Sequence, residues 1–90
     1  MNLVVLMGTL KVKPVLKEST QGNYYAEAKL EIERVGCESI KDEITITILN
    51  ELAIEFVKEA RENQMVAVKG MIHNDDGDYE LIANKISFLS

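Results

Sequence analysis

Ile44-Thr45-Ile46-Thr47-Ile48, then Leu49-Asn50, then Glu51-Leu52-Ala53-Ile54-Glu55-Phe56-Val57-Lys58-Glu59-Ala60: across this stretch the apolar period changes from two residues to about 3.6. The first part alternates a branched apolar side chain with a threonine, the pattern of a strand with one covered and one wet face. In the second part Leu52, Ala53, Phe56, Val57 and Ala60 recur at helical spacing, while Glu51, Glu55, Lys58, Glu59 and Glu62 fall on the opposite side. Asn50 stands where a side chain can cap the first turn. A half-buried strand therefore passes into one amphipathic helix that stops near Asn63.

Upstream, residues 24–34 alternate strictly. Ala26, Ala28, Leu30 and Ile32 share one face, and Tyr25, Glu27, Lys29, Glu31 and Glu33 share the other. Residues 36–41 are a connection, so this strand and the one through Ile48 form a hairpin. Residues 3–10 are an apolar run suited to a strand buried on both faces or paired with a second subunit. Pro14 cannot donate to a ladder, so residues 11–18 are taken as a bend or edge, followed by a turn at 19–23. After the helix come a strand at 65–72, with Val66, Val68, Gly70 and Ile72 on one side, a turn at 74–78 and a last strand at 79–89. Five strands with one helix between the third and fourth are the arrangement of the five-stranded Greek-key barrel, the OB fold, and residues 1–90 form one such domain. Ile44, Ile46, Ile48, Val66, Val68 and Ile72 are expected to share its core with Phe56.

Ninety residues suffice for one core but cover only a modest share of their surface, so a partner subunit helps. The 47% of hydrophobic residues and 28% of charged ones place the chain among folded rather than disordered sequences. Residues 1–7 are apolar without a basic leader and are cut short by Gly8 and Thr9, which excludes a signal peptide or span of that kind; a cytoplasmic protein is expected. Cys37 has no partner for an intrachain bridge, and His73 is the only histidine, so a reduced thiol, a surface imidazole and no metal or cofactor are expected. Asp75, Asp76 and Asp78 lack the spacing and the glutamate of a calcium loop. The glycines do not gather into a phosphate-cradling loop, and no nucleophile–base pair is apparent, so an enzyme is not expected.

The net charge of −5 argues against a chain whose main task is holding phosphate, unless a local basic path exists. Lys11, Lys13, Lys17, Lys41, Arg61, Lys69 and Lys85 are dispersed enough to provide one. Tyr24, Tyr25 and Tyr79 are the residues that offer both a stacking plane and a hydroxyl. Leu3, Val5 and Met7 alternate with Val4 and Leu6, so both faces of the first strand are apolar, and a small barrel cannot easily cover the outer one.

Asn2-Leu3-Val4-Val5-Leu6-Met7-Gly8-Thr9-Leu10 resembles the opening strand of bacterial single-stranded-DNA-binding proteins, which have an Asn, an apolar run, a Gly and a Leu at this spacing. Pro14, Lys17 and Gly22 fall where that family has its proline, a basic residue and its hairpin glycine. Residues 42–72 are similar, without a gap, to its third strand, helix and fourth strand, including Leu52-Ala53, Arg61 and Gly70. The resemblance implies a single-stranded-DNA-binding module without strong sequence preference, acting in DNA replication, repair or recombination. It also implies a homo-oligomer, dimer or tetramer, that pairs through the first strand at Leu3, Val5 and Met7. Lys11, Lys13, Lys17, Tyr24, Tyr25, Lys41, Arg61, Lys69 and Tyr79 are the candidate nucleic-acid contacts.

The chain also departs from the family. Glu43 stands where a Trp is common, Leu49 where a ring is, and Glu51 where a Lys is frequent; there is no Trp anywhere. The usual ligand platform would present Glu27, Glu31, Glu33 and Glu43 beside Lys29, Thr45 and Thr47, and is expected to repel phosphate. The family's long basic loop is here the acidic stretch 74–78. The sequence stops at Ser90, and a short form without the family's flexible tail and acidic tip is expected. The alternative is an OB barrel that has lost most of its DNA surface and binds replication proteins in a primosome-type assembly.

Overall fold

The computed structural model describes residues 1–89; in it the alternating segment 24–34 is one strand with those bounds, and the strands through Ile46 and Val68 are longer than the sequence pattern marks. The order is β1 (Val4–Leu10), β2 (Leu16–Glu18), β3 (Tyr24–Arg34), β4 (Cys37–Leu49), α1 (Asn50–Glu59), β5 (Met65–Asp75) and β6 (Asp78–Phe88). The sheet runs β1-β5-β6-β4-β3-β2, and a short β1–β3 pairing at Thr9↔Glu31 and Leu10↔Leu30 closes it into a barrel. β4 and β6 pair in parallel at Thr47↔Ile82, while the other neighbours are antiparallel.

The barrel and its single helix match the expected architecture, with one difference in count. Segment 11–18, expected as a bend or an edge, contains a strand to be counted: beyond the buried Pro14, Leu16, Lys17 and Glu18 pair with Ala26, Tyr25 and Tyr24 at the edge of the sheet. The helix thus lies between the fourth and fifth strands rather than the third and fourth. The chain leaves the ladder of β1 after Leu10, the proline keeps it unpaired, and half-buried Leu16 begins the new pairing with β3. The β3–β4 hairpin is also tighter than a connection over 36–41, because Gly36, at φ 81°, lets the chain reverse immediately after Arg34.

Asn50 does not cap the helix. Leu49 is the N-cap, with no side-chain hydrogen bond, and Asn50 takes φ 55°, a left-handed conformation that Asn tolerates better than most residues. The helix ends at Glu59 rather than near Asn63, since Ala60 is already extended. The backbone N–H of Asn63 donates to the Leu10 carbonyl at 2.7 Å, and that of Leu10 to the Gln64 carbonyl at 2.8 Å, which ties the exit of the helix to the end of β1.

Leu10, Ala26, Leu30, Ile46, Ile48, Val66 and Val68 are buried with Phe56, and Ile44 packs partly buried against them. Ile72 does not join: it is 37% exposed, because β5 and β6 run past the barrel as a projecting hairpin. That hairpin reverses at Asp76-Gly77, φ 51° and 92°, the signs of a type I′ turn. The Asn2 side chain holds its base. Its amide donates to the Ile72 carbonyl, and the Ile72 N–H donates to Asn2 Oδ1 at 3.0 Å, so one side chain imitates a further rung of the β1–β5 ladder.

Candidate functional site

Strand alternation puts Tyr25, Glu27, Lys29, Glu31 and Glu33 on the outside of β3, because Ala26, Ala28 and Leu30 fill the inside. The register sets Leu49, Thr47, Thr45, Glu43 and Lys41 of β4 opposite them. Lys17 of β2 sits across from Tyr25, and Thr9 of β1 across from Glu31. One continuous outer face therefore begins at Lys17, Tyr25 and Leu49 and ends at Glu33 and Lys41.

Its charges form pairs. Lys17 lies 3.2 Å from Glu27, Lys29 3.5 Å from Glu43, and both Lys41 (3.3 Å) and Lys11 (3.8 Å) reach Glu31. The face is a lattice of alternating charge and not the acidic surface expected; Lys29 of β3 and Lys41 of β4 are joined by Lys17 of β2 and by Lys11, just past the end of β1. All these groups are partly exposed, and such pairs are worth about 0–1 kcal/mol each, so a phosphate can take the place of a carboxylate at little cost. Thr47 is withdrawn from the open face. It is 7% exposed and donates to Glu80 Oε2 at 3.1 Å, while Glu80 Oε1 lies 2.7 Å from His73 Nε2, so one carboxylate links β4, β5 and β6. At the far end, hydrogen bonds from the Arg34 guanidinium (Nε to Oδ2 3.3 Å, Nη2 to Oδ1 2.5 Å) hold the Asp42 carboxyl below its usual range.

The structure brings together Lys11, Lys17, Tyr25 and Lys41, and adds Lys29, which is absent from the candidate set. It places the others elsewhere. Tyr24 and Tyr25 are adjacent and point to opposite faces, so only Tyr25 stands on the outer one. The Lys13 ammonium donates to the carbonyls of Val57 (2.9 Å) and Ala60 (2.7 Å), where a cation satisfies the last turn of the helix. Arg61 follows that turn. Lys69 faces Lys85 across β5 and β6, beside Val5 of β1. Tyr79 is at the exposed tip of the projecting hairpin. The alternation of residues 24–34 already sets Lys29 on this face beside Glu27, and its place among the other lysines is what adds it to the candidates.

A separate apolar strip lies on β1. Leu3, Val5 and Met7 are exposed, and apart from Thr9 and Leu10 the strand is paired on its β5 side alone, so its other edge has unused backbone groups. Among the described residues, no helix is long and apolar enough to cross a membrane, and no three His, Cys, Asp or Glu side chains are grouped as a metal requires.

A model of the Single-strand binding protein family matches residues 1–89. Among solved structures, the SSB domain of a Synechococcus sp. protein has a TM-score of 0.83 at 18% identity, over 96% of this chain and 93% of that one. Wild-type single-stranded DNA binding protein from Thermus aquaticus has a TM-score of 0.80 at 24% identity; all of this chain is covered, but 41% of that one. The dimeric N-terminal domain of PriB from Thermoanaerobacter tencongensis has a TM-score of 0.78 at 23% identity, over 99% and 97% of the two chains. No curated protein matches the sequence. At these identities the structural likeness establishes the barrel.

Proposed function

The chain belongs to the single-strand binding protein family, and from that premise we propose that it binds single-stranded DNA without strong sequence preference along the outer face of β2, β3 and β4, in replication, repair or recombination. The observation that carries this reading is the face itself: a tyrosine beside Lys17, continued by lysines whose partners are carboxylates at least partly open to solvent. Lysines displace counterions from phosphate, and the ring gives a base a surface that any sequence can use.

Fluorescence anisotropy with a labelled oligothymidine tests it. Tyr25→Ala should remove about 1–3 kcal/mol of binding, the usual worth of one stacked base. Lys17→Ala should instead lower the slope of log affinity against log salt by about 0.7, the value for one single-strand phosphate contact. No binding at low salt with the protein in large excess would overturn the proposal. It would leave the second reading, a barrel that binds a replication protein, which is favoured by Glu43 on the platform and by lysines already engaged with glutamates.

We propose as well that the chain self-associates through β1, where the unpaired edge and exposed Leu3, Val5 and Met7 coincide. Val5→Lys places a charge on that strip next to Lys69, so sedimentation should show a shift toward monomer. A wild-type chain that stays monomeric at high micromolar concentration would count against the interface.

A further inference from the structure

We infer that the groove between segment 11–17 and the outer face of β3 and β4 takes one nucleotide of a single strand, its base against Val12, Pro14 and Val15 and its phosphate on Lys17 or Lys29. This rests on the reading of the chain as a single-strand binder and adds to it a subsite outside the Tyr25 row.

The groove encloses about 440 Å³, and Val12, Pro14 and Val15 form one wall, with Ala28 and Thr45 among the residues opposite. It exists because the chain leaves β1 after Leu10, is anchored by the buried Pro14 and rejoins the sheet only at β2, against β3. On either side of that anchored ring, Val12 is 71% and Val15 67% exposed. A single exposed valine needs no explanation, but two on the rim of one groove beside a proline make a continuous apolar surface. Across from them the space is bordered by Thr45 and by the side chains of Glu27 and Lys29.

The occupant is indicated by charge and by the scarcity of rings. Lys17 and Lys29 both line the groove, and the acid that lines it, Glu27, is the carboxylate resting on Lys17 at 3.2 Å. The Lys29 ammonium is held 3.5 Å from Glu43. The bound ligand is therefore flat or apolar in the middle and anionic at its edge. A nucleotide released from a double helix has that form, whereas a base inside a duplex keeps its faces on its neighbours. Of the chain's two phenylalanines, Phe56 and Phe88 stack on each other, with centroids 6.0 Å apart, which leaves stacking on the outer face to Tyr25. An aliphatic wall gives a base the same burial and dispersion contact without a ring. The Thr45 hydroxyl, able to donate or accept, suits a base edge without selecting one.

The test combines affinity with location. Both valines are exposed, so Val12→Ser/Val15→Ser should fold normally, and circular dichroism checks that it does. We expect this variant to bind oligothymidine roughly tenfold more weakly at an unchanged salt slope, because apolar burial and not phosphate contact has been removed. Glu27→Gln releases Lys17 and should steepen the slope by about 0.7. Irradiation of the complex with a 4-thiothymidine-substituted oligothymidine should crosslink segment 11–17. Wild-type affinity in the serine variant, with no crosslink to that segment, would overturn the groove while single-strand binding stands. No binding by the wild-type chain would remove the reading on which the groove rests.

Discussion

Gly70→Ala should cost about 4 kcal/mol or more of folding stability, in the range reserved for substitutions with a specific steric cause. A Cβ built on Gly70 would stand 2.1 Å from the carbonyl oxygen of Ile82, 2.9 Å from its carbonyl carbon and 3.1 Å from the Cα of Ala83. All three atoms are backbone, so no rotamer change relieves the contact. The position lies where the β5–β6 register slips, Lys69 opposite Lys85 but Gly70 opposite Ala83, and on its other side β5 is paired with β1 at Val4. Moving β6 away would open the β5–β6 ladder, and moving β5 would open the β1 ladder. Domains of this size have about 5–15 kcal/mol in total, so the variant should be largely unfolded or melt at far lower urea. Gly36→Ala is the control: it meets no atom within 4 Å and has only its φ of 81° against it, a strain of about 1–2 kcal/mol. Equal urea midpoints for the two variants would show that the register slip relaxes.

What the sequence makes legible follows from which forces are local. Alternation through Ala26, Ala28 and Leu30 and through Ile46 and Ile48 fixes which faces are buried, and helical spacing fixes Phe56, because each is decided by residues a few positions apart. The short β2 is not legible: three residues after a proline have no period, and they become a strand only because β3 offers them partners. Ile72 has the right alternation for the core, yet the hairpin has already left the barrel when it is reached. The charge of the outer face misleads for the same reason. Glu27, Glu31 and Glu43 can be counted on their strands, but of the four lysines paired with them, Lys11 and Lys17 come from other segments of the chain. Lys13 shows the limit most clearly, since no local pattern reveals that its ammonium closes a helix that begins 37 residues later. Membership of the family was legible because its matched residues, Gly8, Pro14 and Gly70 among them, are scaffold positions.

Phe56→Ala is expected to cost roughly 3–5 kcal/mol, the range for removing a buried aromatic side chain. Phe56 is 2% exposed and belongs to the same buried core as Leu10, Ile48 and Val66, with the ring of Phe88 stacked on it at an interplanar angle of 10°. The helix that carries it has little stability of its own. It is ten residues long, and its N-cap makes no side-chain hydrogen bond; isolated helices below about 12–15 residues are marginal in water. Its place on the barrel therefore depends on the apolar side chains it buries, of which Phe56 is the largest. Two consequences separate this variant from a simple loss of packing. Helical circular dichroism should fall earlier than the strand signal in a denaturant series, since the helix loses its anchor while the β3–β4 hairpin keeps its own. The Lys13 ammonium should also be released, because the Val57 and Ala60 carbonyls it binds belong to the end of this helix. Segment 11–17 would then become more mobile, and the groove it walls should be weakened without any change to a residue lining it. Phe56→Leu, which retains most of the apolar volume, should keep both the helix and the groove at a smaller cost. A loss below about 1 kcal/mol for Phe56→Ala would be under the buried-aromatic range, and would mean that the helix does not plug the barrel.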